Sequence, residues 1–231
     1  MNKIDFQKLI KRRKKKTNNN KGRDEKMGKK RILVDFDMTI VNSGKRIIEL
    51  YQEDTGDCVM PYEGNEDKLT WGFDNFIPKE YNALKYFSDP RLMDNLEFIE
   101  GAKETLEALS CYYDVYIITR SSCNLDNKIE FIKKELPFIK GTIFVSSSDF
   151  TDKALFSNDF DTVLIDDRVD CFYKSNRLNL LFGEYDWNKQ EEIDKYRKEN
   201  DIYTPLYRAK SWSNILHLLI DEEYDKVEEI K

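Results

Sequence analysis

Apolar and polar positions alternate in blocks along this chain, and the blocks predict an α/β fold. Short apolar runs cover residues 32–34, 115–118, 142–145, 162–165 and 178–182, each bounded by polar or turn-forming residues. Between them apolar residues recur at helical spacing: Ala102, Leu106 and Leu109 share one face, and residues 128–136 repeat the pattern. Strands alternating with helices predict a parallel sheet covered on both faces, a Rossmann-like three-layer core. About 55 residues, 44–98, separate the first strand from the helix that begins near Gly101, too many for a plain crossover. Within this insert, residues 45–53 and 79–87 have helical spacing. Residues 58–74 are rich in turns and aromatic rings, among them Tyr62, Trp71 and Phe73.

Charge divides the chain in a second way. Residues 1–31 hold 14 Lys/Arg against 3 Asp/Glu, net +11, and the other 200 hold 24 against 41, net −17. The block Lys11 to Lys16 is followed by Thr17 to Gly22, a like-charge run and then turn formers, so residues 1–29 read as a disordered basic arm. Such an arm suits nucleic acid or an acidic partner, or serves only as a solvated extension. No stretch approaches 18 consecutive apolar residues and no apolar segment resembles a secretory leader, so neither membrane spanning nor secretion is expected. Cys58, Cys111, Cys123 and Cys171 are scattered, and His217 is the one imidazole, which argues against a zinc site and against a disulfide scaffold. A reducing cytoplasm is the expected compartment, and His217 is expected to be a packed or surface side chain.

The chemistry gathers at strand ends, where open parallel sheets bind their ligands. Asp35 and Asp37 follow the first strand, Thr119 and Arg120 follow the second, and Asp166 and Asp167 follow the fourth. Two carboxylates two residues apart can divide the work on a phosphate ester, one attacking phosphorus and one handling the leaving-group proton. The acidic pair offers the oxygen ligands that a hard divalent ion such as Mg²⁺ prefers. Lys153 can neutralise phosphate oxygens, with Lys128, Lys133 and Lys140 as rivals for that role, and Thr119 adds a hydroxyl donor. Each feature has a plainer reading when taken singly: a strand-end Asp or Thr39 caps a turn, and Lys153 is solvated.

Together, Asp35-Phe-Asp37-Met-Thr39, Thr119, Lys153 and Asp166-Asp167 resemble, in order, the four motifs of the haloacid dehalogenase-like (HAD) phosphohydrolases. Thr151-Asp-Lys153, Leu164-Ile-Asp-Asp-Arg168 and Leu181-Phe-Gly-Glu-Tyr-Asp-Trp-Asn188 resemble stretches of the 5′(3′)-deoxyribonucleotidases, including bacterial and phage members. The resemblance implies an HAD-like core over residues 30–43 and 99–231, with residues 44–98 as a small helical cap. It implies Asp35 as nucleophile and Asp37 as acid and base. Mg²⁺ would be held by Asp35, the Asp37 carbonyl and Asp167, with Asp166 beside it, and Thr119 and Lys153 would hold the phosphoryl oxygens, a set to which this chain's own Arg120 is a candidate addition. Asp37 also argues against halide chemistry, which needs no proton donor for its leaving group. Arg120-Ser121-Ser122 departs from the Ser-Pro of mammalian members, so Arg120 adds a charge where they have none. Trp71 and Phe73 are the candidates to stack on a base, with packing inside the cap as the alternative. The expected substrate is a nucleoside monophosphate. A phosphatase of nucleic-acid ends that uses the basic arm, and a non-catalytic phosphate-binding module, are the rival readings; the oligomeric state is not legible.

Overall fold

The computed structural model describes residues 30–121, 124–146, 153, 161–172, 177–200, 206–221 and 227–230; the basic arm expected over residues 1–29 lies outside them, as does Cys123. Among the described residues one sheet holds strands β1 (Arg31–Val34), β2 (Asp114–Arg120), β3 (Gly141–Val145), β4 (Thr162–Asp166), β5 (Leu178–Phe182), β6 (Leu206–Ala209) and β7 (Glu228–Ile230). Their order is β3-β2-β1-β4-β5-β6-β7, parallel throughout except for the antiparallel β6–β7 pair. The helices are α1 (Ser43–Thr55), α2 (Ala102–Ser110), α3 (Leu125–Glu135), α4 (Gln190–Asn200) and α5 (Trp212–Leu216).

The two-residue period of a strand assigns successive side chains to opposite faces. Ile32, Val34, Ile117, Val163 and Ile165 bury one face against Leu106 and Leu109 of α2, Ile132 of α3 and Trp212 of α5. Leu33, Ile118, Leu164 and Leu181 bury the other against Ile193 of α4. Every residue of β4 and β5 is buried, which is why both read as mainly apolar runs rather than alternating ones, with Thr162, Asp166 and Asn179 the polar members. The five expected strands are all present. β6 and β7 were not foreseen: β6 carries Arg208, buried with its guanidinium on the Gly183 and Asn188 carbonyls and the Asn188 side chain, and β7 is a polar edge strand.

The insert builds a second apolar cluster, with Ile47, Leu50 and Tyr51 of α1 packed on Leu69, Phe73, Phe76, Ile77, Tyr86 and Leu92. Asn42 caps α1 by accepting from the Lys45 amide, and Gly56, at φ +74°, ends it in the left-handed region. The helix expected over residues 79–87 is instead a pair of 3₁₀ turns, Ala83–Ser88 and Pro90–Met93. Asn82, extended at φ −66° and ψ 90°, interrupts the expected helix; Pro90 opens the second turn, and the Asp89 carboxylate caps it at the Arg91 amide. The two ends of the insert lie side by side, with the Asn42 amide on the Glu97 carbonyl (2.8 Å) and the Ile99 amide on the Ile40 carbonyl (3.0 Å). His217 opens a π-turn, His217–Asp221, and pairs with Asp221 at 3.0 Å, as expected of a surface imidazole.

After β5 the chain turns at Gly183, which has φ +75° and lies under the Tyr185 ring. A Cβ at residue 183 would stand 2.6 Å from the Tyr185 Cε2 atom. Gly183→Ala is therefore expected to destabilise the protein by about 1–3 kcal/mol through left-handed strain and overpacking together, measurable by urea denaturation.

Candidate active site

The crossovers from β1 and β4 leave in opposite directions, which opens a crevice at the carboxyl ends of the two central strands. Val34 pairs with Ile165 and with Ile117, so the residues that follow these strands arrive side by side. The Asp35 amide donates to the Ile165 carbonyl (2.9 Å) and carries the chain one step beyond the sheet. Residues 36–41 then form a tight loop, with the Ile40 and Val41 amides on the Phe36 carbonyl and Met38 at φ 57°. Two ring donors secure that loop from outside. The Tyr185 hydroxyl donates to the Met38 carbonyl (2.8 Å), and the Trp212 indole donates to the Thr39 carbonyl (2.9 Å).

The carboxylates of Asp35, Asp166 and Asp167 are all buried, with ligand oxygens within 4.8 Å of one another. Lys153, also buried, donates to Asp35 and to Asp166 Oδ2 (3.0 Å). The Arg168 amide donates to Asp166 Oδ1 (2.9 Å), and the Trp187 indole N–H donates to Asp167 Oδ2 (2.7 Å). Ionised, the three acids and Lys153 sum to −2, and three hard oxygen donors around an excess of negative charge fit a divalent cation such as Mg²⁺. Without one, burial pushes Asp35 up to about 7, aided by Asp166 and Asp37 and opposed by Lys153. Burial, then Asp166 and Asp35, also hold Asp167 well above the usual carboxylate range. Burial works against the Lys153 charge, yet Asp166 and Asp35 keep its pKa well above the ordinary lysine value.

A second lysine completes the arrangement. Lys128 of α3 is buried over the Phe36 ring and donates to Asp37 Oδ2 (2.8 Å) and Thr119 Oγ1 (3.3 Å). The other Asp37 oxygen, Oδ1, is buried without a hydrogen-bond partner among the described residues. The structure thus gathers Asp35, Asp37, Thr119, Lys153, Asp166 and Asp167, with Arg120 at the rim of the same cavity. Of the rival lysines it adds Lys128 to Lys153 rather than replacing it. A helical lysine nine residues past Thr119 carries no local motif, so sequence pattern alone could not rank it.

This cavity, about 290 Å³, is walled on the insert side by Trp71 and Phe87. Trp71 is 41% exposed, faces the Trp187 edge (ring centroids 5.6 Å apart) and carries the Arg168 guanidinium over its ring (4.6 Å). Phe73 is only 3% exposed and packs inside the insert against Phe87. Of the two aromatic candidates, then, Trp71 borders the cavity and Phe73 supports it from behind. Phe87, Arg168 and Trp187 were not singled out from sequence. Cys171, a buried free thiol, also lines the cavity, and Cys58 and Cys111 are likewise free. No described helix is long and apolar enough to cross a membrane.

Comparison with known proteins agrees with this geometry. Residues 29–223 match the family model described as 5′ nucleotidase, deoxy (Pyrimidine), cytosolic type C protein. The chain is 25% identical over 125 residues to 5′(3′)-deoxyribonucleotidases of Bacillus subtilis (strain 168) and of Bacillus phage SPbeta, covering 53% of this chain and 69% of each relative. Among solved structures, the HAD-hydrolase YfnB from Bacillus subtilis, bound to magnesium, aligns with a TM-score of 0.50 at 16% identity, over 84% of this chain and 99% of that one. A HAD family hydrolase from Deinococcus radiodurans R1, with bound phosphate and sodium, aligns at 0.52 and 15% identity, over 83% and 95%. At such identities the structural likeness establishes the HAD-like fold.

The buried acids make stability depend on pH in a defined direction. An unfolded Asp ionises near 3.8 and folded Asp35 near 7, so between those values the native state binds the extra proton. Cation-free protein is expected to lose this contribution as pH rises through that window. Urea denaturation in chelator near pH 5 and near pH 7.5 measures the loss, and Mg²⁺ at the higher pH is expected to reverse it.

Proposed function

The chain belongs to the 5′ nucleotidase, deoxy (pyrimidine), cytosolic type C family, and from that premise we propose a Mg²⁺-dependent hydrolase of nucleoside monophosphates, deoxyribonucleotides foremost, working through an aspartyl-phosphate. Membership makes it a phosphoric monoester hydrolase. One observation carries the finer reading: Asp35 and Asp37 leave β1 two residues apart, and each carboxylate meets its own buried lysine.

In the proposed reaction an Asp35 oxygen attacks phosphorus while the bond from phosphorus to the ester oxygen breaks. Asp37 gives that leaving oxygen a proton, then takes one from the water that attacks the aspartyl-phosphate. Inorganic phosphate departs and the Asp35 carboxylate returns. Thr119, Arg120 and Lys153 hold the phosphoryl oxygens, and Lys128 holds Asp37 toward Thr119. Asp35, Asp167 and the Asp37 carbonyl, with Asp166 beside them, would hold Mg²⁺, which would supply the charge neutralisation that lets one anion attack another.

Trp71, with Phe87, is the surface on which a base would stack, a contact that tolerates different bases. Residues 44–98 would then act as a cap that excludes water from the reacting groups. The basic arm supports a further ligand, nucleic acid or an acidic protein, and the isolated spacing of the cysteines supports a cytoplasmic setting.

Phosphate release from deoxy- and ribonucleoside 5′- and 3′-monophosphates, sugar phosphates and a 3′-phosphorylated oligonucleotide tests the reading. Mg²⁺-dependent turnover of deoxyribonucleotides, lost in Asp35→Asn, is expected. Turnover of the oligonucleotide alone, weakened by salt and by removal of residues 1–29, would make the enzyme an end phosphatase. Lys128→Met, which frees Asp37 from its partner, is expected to lower kcat on the order of 10- to 100-fold, within the range acid–base catalysis contributes.

A further inference from the structure

Asp167 is held at both ends by the loop after β5. Its carbonyl accepts from Asn188 Nδ2 (2.9 Å), and its Oδ2 accepts from the Trp187 indole (2.7 Å). That loop is itself tied down. Asn188 also donates to the Phe182 carbonyl (3.1 Å) and accepts from the Tyr185 amide (2.9 Å) and from Arg208 Nη1 (3.0 Å). The Trp187 ring lies flat on Tyr185, with centroids 4.7 Å apart and planes 10° apart, and the Tyr185 hydroxyl reaches back to the Met38 carbonyl beside Asp37. The indole therefore stands where the two loops of the site meet.

An indole N–H is a donor with no lone pair to offer and no charge. A lysine or arginine in its place would compete with a cation for Asp167, and a hydroxyl could itself become a ligand. A neutral donor can only orient the carboxylate, occupying Oδ2 from one side and leaving the group otherwise available. Donors placed behind a metal-binding carboxylate commonly change metal affinity by about 10- to 100-fold when removed.

We propose that Trp187 is a positioning residue for the divalent-cation site, its indole N–H fixing the Asp167 carboxylate in the orientation that receives the cation. The inference rests on the reading of this site as one that binds Mg²⁺.

Calorimetric titration of Mg²⁺ into the full-length wild-type protein and Trp187→Phe, without nucleotide, separates the two. The Phe ring can still lie on Tyr185, and the donor is removed together with the second ring of the indole. The expected result is a Kd for Mg²⁺ raised about tenfold or more in Trp187→Phe, with cooperative urea unfolding in chelator retained. Equal affinity in the two proteins would overturn the role of Trp187 and leave the Mg²⁺ reading standing; no binding by the wild type would overturn both. Should Trp187→Phe fail to fold, ¹⁵N-indole spectra of the wild type give the same decision. The Trp187 N–H resonance, assigned with the help of Trp71→Phe and Trp212→Phe, is expected to shift along the Mg²⁺ titration with the calorimetric Kd, and a resonance that stays put would refute the proposal.

Discussion

Crowding like charges in a buried crevice is the constraint to which the rest of this molecule answers. Asp35, Asp166 and Asp167 are buried with their oxygens within 4.8 Å of one another, and Lys153 is the cation placed between two of them. Carboxylates in such a place repel one another and lose their hydration, so one lysine cannot hold all three ionised. Asp35 and Asp167 both stay protonated above the usual range for that reason. The cluster is thus poorly suited to a purely structural role, since apolar residues of similar volume would be less costly there. It suits a site that waits for positive charge.

A parallel sheet is what allows the crowding. Each acid sits at or just past the end of a central strand, so its backbone is fixed by the ladder before its side chain meets its neighbours. The loop after β1 has no sheet to lean on, and it relies instead on donors from distant parts of the chain, Tyr185 at the Met38 carbonyl and Trp212 at the Thr39 carbonyl. Arg208, buried in β6, is the anchor behind them. Its three bonds to Gly183 and Asn188 shape the turn that carries Tyr185 and Trp187 to the crevice. A buried charge in an outer strand thereby serves the geometry of a site several strands away.

How much of this the sequence made legible follows from the range of each interaction. Asp35, Asp37, Thr119 and Asp167 could be placed because each is a polar residue that ends an apolar run, a signal contained in a few neighbouring positions. Strands β1 to β5 were legible as apolar runs for the same reason. Lys128 was one of several lysines on a helix, and only the packing of α3 against Phe36 brings it to Asp37. Trp187 lies in a loop whose path depends on Arg208, so no local pattern announces it. β6 was hidden by that same arginine, and β7 by being a polar edge strand with one buried residue, Ile230. The 3₁₀ turns in place of the helix expected over 79–87 trace to the extended Asn82 and to Asp89 and Pro90, which break the chain into short turns despite the apolar spacing around them.

The aromatic insert shows where residue type stops being informative. Trp71 and Phe73 are two residues apart in one turn, yet one borders the cavity and the other is sealed beneath it. The difference lies in the backbone, since Phe73 takes φ 65° and its amide closes a turn on the Thr70 carbonyl, while the Phe76 and Ile77 amides both fold back onto the Phe73 carbonyl. That reversal turns the Phe73 ring inward, onto Phe87, and leaves the Trp71 ring outward between Phe87, Trp187 and Arg168. The exposed ring consequently rests on half-buried Phe87, which is backed by buried Phe73. Trp71 touches both the insert and, through Trp187, the loop that holds Asp167, so the surface that would meet a base and the carboxylate that would meet a cation share one aromatic contact.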